Sequence, residues 1–66
     1  MTAYTKIIKE NSNYNPRHIE GFIRLQYGTL DHLSREEFKQ EIMIAETSID
    51  NAGLKESEEL AISFGL

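Results

Sequence analysis

The chain has 66 residues, the length of one domain close to the lower limit at which a single core sustains folding without metals, disulfides or a partner. It has no cysteine and a net charge of −4, which excludes disulfides and thiolate metal sites and suits a reducing compartment. Residues 1–40 carry six basic and five acidic side chains, whereas residues 41–66 carry Lys55 alone against six acidic ones; too few cations cluster for a phosphate-binding face, and the acidic third reads as solvated helix surface or as a face for a basic protein.

No apolar run approaches the roughly 20 residues of a membrane span. The first ten residues, Met-Thr-Ala-Tyr-Thr-Lys-Ile-Ile-Lys-Glu, lack the apolar core of a signal peptide, so an unexported, cytoplasmic protein with no membrane association is expected. There is no internal repeat, linker or low-complexity tract, and residues 1–66 are read as one helical domain.

Tyr4, Ile7 and Ile8 fall at i, i+3 and i+4, which suits a turn or two of helix, although Tyr-Thr-Lys-Ile-Ile also has strand propensity. No second strand is in prospect, so the segment is expected as a short helix or an ordered arm, with strand pairing to another chain as the alternative. Asn11 to Asn15 form a loop. Asn15 is placed to cap a helix that opens on Pro16, where the missing N–H costs nothing, and Tyr14 to staple onto Ile19. This helix should run over 16–27 and stop at Gly28, with Ile19, Phe22, Ile23 and Gln26 on one face and Leu25 widening it. Gly21 inside it costs about 1 kcal/mol relative to Ala; it marks either a close crossing by another segment or a tolerated exposed glycine.

Leu30 and Leu33 are expected to anchor the connection that follows. Ser34 and Glu37 form a capping box, with Leu33 and Phe38 at staple positions, so a second helix should begin at Arg35 and run to about residue 52. At about 100° per residue, Phe38, Ile42, Ala45 and Ile49 share a narrow seam. Met43 and Ile44 project to two flanks outside it. Gly53 offers a left-handed stop, with Leu54 folding back on Ile49. A third helix over about 55–64 would turn Ser57, Leu60, Ala61 and Phe64 inward, place Glu56, Glu58 and Glu59 near its positive end, and stop at Gly65 with Leu66 docked. The expected fold is thus an all-α bundle of three principal helices with a short N-terminal helix or arm.

Nothing in the sequence demands catalysis. His18 and His32 are the only imidazoles. His18-Ile19-Glu20 has the outline of a zinc-deaminase His-x-Glu, but that chemistry also needs Pro-Cys-x-x-Cys ligands. His18 is expected as a polar side chain at a helix terminus and His32 in a loop or capping contact. Ser34 is explained by its capping box. No catalytic residue, metal site or cofactor is therefore assigned. A helix-turn-helix-like regulator of DNA is the alternative class, but the spacer of six residues is long and the second helix opens Ser-Arg-Glu-Glu, which would repel phosphates. Arg17 and Arg24 share a face with Glu20 at salt-bridge spacing to each, the pattern of a solvated helix.

Protein binding remains. Met43, Ile44, Lys39, Glu46 and Ile62 are the candidate partner-binding residues, for a host protein or for a second copy in a homodimer; the competing expectation is that Tyr4, Ile7 and Ile8 cover Met43 and Ile44. The phrases Asn15-Pro16-Arg17-His18-Ile19-Glu20, Arg24-Leu25-Gln26-Tyr27-Gly28-Thr29-Leu30-Asp31-His32-Leu33-Ser34 and Ser63-Phe64-Gly65-Leu66 resemble a group of small proteins, without assigned activity, encoded by bacteriophages and prophages. The similarity covers most of the chain after Asn13. It implies a phage or bacterial origin and the bacterial cytoplasm, and carries over no functional residue. By analogy with small phage proteins that bind host machinery, it points to a protein partner.

Overall fold

A computed structural model describes residues 3–66, in four helices: α1 (Ala3–Asn11), α2 (Pro16–Tyr27), α3 (Arg35–Ala52) and α4 (Leu54–Ser63). The choice between helix, arm and strand for the N-terminal segment resolves to helix over Ala3–Asn11, while residues 1 and 2 lie outside the described residues. No strand occurs among the described residues. Helix is the conformation that turns Tyr4, Ile7 and Ile8 to one side, and that side closes the core. Ile8 is fully buried with Ile19, Ile23, Leu30, Phe38, Ile42, Ala45 and Ile49, and Tyr4 and Ile7 pack against this cluster. The Tyr4 ring stacks on Phe38 with centroids 5.5 Å apart.

The caps form where local chemistry puts them. Asn15 Oδ1 accepts the Arg17 N–H at 2.9 Å, ahead of Pro16, and Gly28 closes α2 by donating its N–H to the Arg24 carbonyl. Both arms of the capping box are present at α3: the Glu37 N–H donates to Ser34 Oγ at 3.2 Å and the Ser34 N–H donates to Glu37 Oε1 at 2.9 Å. The expected seam of α3 is buried at all four positions. Tyr4 meets Phe38 and Ser12 meets Glu46, so α1 runs parallel to α3. Tyr27 at the C-terminal end of α2 meets Glu41 early in α3, and Tyr14 just ahead of α2 meets Asp50 late in α3, so α2 runs antiparallel to α3.

The corner between α3 and α4 departs from expectation. Gly53 donates its N–H to the Ile49 carbonyl at 2.8 Å, but its φ of 89° is joined to a ψ of 164°. That extended ψ sends the chain outward instead of folding it back, so Leu54 begins α4 and stands 72% exposed, away from Ile49. The Gly53 carbonyl accepts both the Ser57 N–H and the Ser57 hydroxyl. The Schellman pair occurs instead at the end of α4, where Gly65 (φ 75°) donates to the Ile62 carbonyl and Leu66 to that of Ala61.

Helix α4 lies against α2. A Cβ added at Gly21 would stand 3.5 Å from the Ala61 backbone, and Gly21, Ser57 and Ala61 are all buried. Gly21 therefore marks a close crossing. Two apolar expectations fail, each for a geometric reason. Leu25 falls about 60° beyond Phe22 on the helix, past the face that meets α3, and is 61% exposed; Phe64, past the last full turn of α4, is also exposed. The crossing buries polar groups as well. His18 and Glu20, expected on solvated surface, are both buried, because α4 covers the first turn of α2 on one side and the Arg24 guanidinium covers Glu20 on the other.

Candidate functional site

The five residues marked for partner binding do not form one surface. Met43 stands 68% exposed and Ile44 51% exposed, so α1 does not cover them: its apolar stripe faces Phe38 and the core. At 100° per residue Met43 belongs to the flank of α3 that carries Lys39 and Glu46 on its α1 side. Lys39 is half-buried with its ammonium 3.9 Å from Glu36, and Glu46 accepts the Ser12 hydroxyl at 2.6 Å. Ile44 lies on the other flank, in a narrow groove between α2 and α3 lined by Phe22, Gln26, Glu41 and Ser48. Ile62, 61% exposed on α4, lines neither this groove nor the larger cleft described next.

That larger cleft, of about 340 Å³, opens between α1 and the start of α3. Its floor is Tyr4, Ile7, Leu33 and Phe38, and its rim is Lys6, Glu10, Ser34 and Arg35. The sequence contains both halves of the floor, as the stripe of the N-terminal helix and as the staple before the second long helix, and each half alone reads as core. The gap between them depends on how far α1 stands from α3, which no local spacing encodes.

The electrostatics of the acidic third also differ from a solvated face. Of its six carboxylates, four tie helices or loops together. Glu41 accepts from Tyr27 at 2.9 Å, Glu46 from Ser12, and Asp50 from Tyr14 at 2.8 Å. Glu58 accepts from Arg17 through both oxygens at 2.8 Å and lies 2.9 Å from His18 Nε2. Arg17 also donates to the main-chain oxygen of Leu66. The His18 contact, then the Arg17 hydrogen bonds, hold the Glu58 carboxyl below its ordinary range; an ionised Glu58 makes His18 Nε2 the donor. Arg17 thus serves α4 and not Glu20, which is bound by Arg24 Nε at 2.8 Å. Tyr4 donates to Asp31 at 2.7 Å, and each tyrosine hydroxyl titrates above its ordinary value because its carboxylate partner stabilises the protonated phenol. His32 packs its ring against Tyr27 with centroids 5.0 Å apart.

Among the described residues no group of three or more His, Cys, Asp or Glu is arranged to hold a metal ion, and no helix is long and apolar enough to cross a membrane. The chain matches no protein-family model, and neither curated proteins nor solved structures gave a significant match.

Proposed function

We propose that the chain is a small non-catalytic module that acts by binding a protein, in the bacterial cytoplasm, through the outward surface of α3 centred on Met43 and Ile44. The observation that carries this reading is the exposure of two large apolar side chains at consecutive mid-helix positions in a helix whose ends are fixed by a capping box and a glycine corner. A rigid helix presenting an unbranched, adaptable Met beside Lys39 and Glu46 on one flank and a branched Ile on the other is the form of an interaction element, with either flank able to supply the apolar anchor. The resemblance to small phage and prophage proteins supports a host protein as the partner, with self-association as the other form of the same reading.

Weighing against the DNA-binding alternative are the ion pairs of α2. Arg17 and Arg24 are each engaged by a carboxylate of the chain, so the face that would meet phosphates carries its own counterions.

The test is affinity capture from a bacterial lysate with the wild type, Met43→Glu, Ile44→Glu and the double variant, alongside solution mass measured across concentration. The expected result is loss of one captured protein, or of a concentration-dependent dimer, in the variant of the flank that binds. Unchanged capture and unchanged mass in the double variant, with its helical content intact, would remove the α3 surface from consideration.

A further inference from the structure

The α1–α3 cleft carries chemistry of its own, independent of Met43 and Ile44. Its floor is apolar and aromatic: Tyr4 and Phe38 are stacked, and Ile7 and Leu33 are half-buried against the core. Its rim holds two cations, Lys6 and Arg35, both exposed and neither in an ion pair among the described residues, against the carboxylate Glu10. On α2 the pattern is the reverse. Arg17 and Arg24 are engaged by carboxylates at 2.8 Å, and the chain as a whole has a net charge of −4. A local excess of unpaired positive charge beside exposed apolar surface, in an acidic molecule, selects for an occupant that is apolar and negatively charged at once.

The depth of the cleft decides what kind of occupant this is. Pockets that take free small molecules enclose most of the ligand surface. Here all the rim residues, Lys6, Glu10, Ser34 and Arg35, are exposed, so the wall is low. About 340 Å³ at the small end of ligand sites suits one or two bulky side chains whose own backbone stays outside. We propose that the α1–α3 cleft receives an apolar side chain flanked by carboxylates, supplied by an acidic segment of a protein partner. The apolar side chain lies over Tyr4 and Leu33, and the flanking carboxylates reach Lys6 and Arg35.

The experiment is an NMR titration of the full chain with the blocked peptide acetyl-Glu-Leu-Phe-Glu-amide, its Gln and Lys counterparts in place of Glu, and octanoate. The acidic peptide is expected to shift the Ile7 and Leu33 methyls and the Tyr4 ring. Binding should weaken about fivefold for the Gln peptide and for the variant Lys6→Glu/Arg35→Glu, and fall with added salt. Both substitutions are on exposed side chains, so the variant is expected to fold; an unchanged helical circular dichroism spectrum checks this. Equal binding of the three peptides overturns the charge selection. Shifts confined to Met43 and Ile44 overturn the location while leaving the α3 surface intact. Binding of octanoate without the acidic peptide overturns the protein segment in favour of a small amphipathic anion.

Discussion

Gly21 lies inside a helix, where glycine is about 1 kcal/mol worse than alanine, and α4 crosses directly above it. The crossing is close but not closed: a Cβ would meet the Ala61 backbone at 3.5 Å and the Leu60 side chain at 3.7 Å, ordinary van der Waals contact. Gly21→Ala is therefore expected to stabilise the fold by about 0.5–1 kcal/mol through helix propensity and a less flexible unfolded chain. Gly21→Leu is expected to lose stability by prising α4 off α2. Urea midpoints of the two variants check this, and a lower midpoint for Gly21→Ala would show that the helices leave no room.

Glu58 makes a second residue-scale prediction. Its folded pKa is depressed by His18 and Arg17 below the unfolded value near 4.5. In the window between the two values the unfolded chain binds more protons, so stability rises with pH there; the contribution is complete above about pH 4.5 and is lost as pH falls through the folded value. Glu58→Gln removes this titration. The variant should show a shallower loss of thermal stability below about pH 4.5 than the wild type, and parallel curves would exclude Glu58 as a source of the acid sensitivity.

At the scale of the element, the helix ends separate what local sequence specifies from what it does not. Ser34→Ala removes the acceptor of the Glu37 N–H and leaves the Glu37 carboxylate without its reciprocal arm, and should cost about 1 kcal/mol. Gly53→Ala should cost more, about 1–3 kcal/mol, because φ 89° with ψ 164° is backbone territory that a Cβ excludes. Chemical denaturation of the two variants ranks them, and a Gly53→Ala as mild as Ser34→Ala would mean that the corner relaxes. Both termini of α3 are legible in the sequence, since Ser-x-x-Glu and a glycine after an apolar stripe act within a few residues. The path after Gly53 is not legible: a left-handed stop and an extended corner both require positive φ, and they differ in ψ. The His18–Glu58 contact was hidden for another reason. The two residues are forty positions apart, and only the placement of α4 on α2 joins them, so His18 alone reads as a surface polar group. The proposed α3 surface was partly legible, because a helical wheel isolates Met43 and Ile44 from the seam, but that wheel has no information on which neighbour stands at each flank.

The whole molecule divides into positions that hold the core and positions that the core leaves over, and α1 settles which is which. A domain of this size has a stability of a few kcal/mol, so the short first helix is either integral or dispensable. Ile8, fully buried within the cluster, argues for integral: Ile8→Ala should cost about 2–5 kcal/mol, comparable with the whole stability of the fold. Met43, of similar size, contacts mainly solvent, and Met43→Lys should change stability by less than about 0.5 kcal/mol. Thermal unfolding followed by far-ultraviolet circular dichroism makes the comparison directly. If Ile8→Ala melts as the wild type does, α1 is an appendage, the floor of its cleft is not fixed, and the core must be completed elsewhere. If Met43→Lys melts early while Ile8→Ala does not, the exposed flank of α3 is covered in solution by a segment or a second copy, and self-association becomes the form that the α3 surface takes.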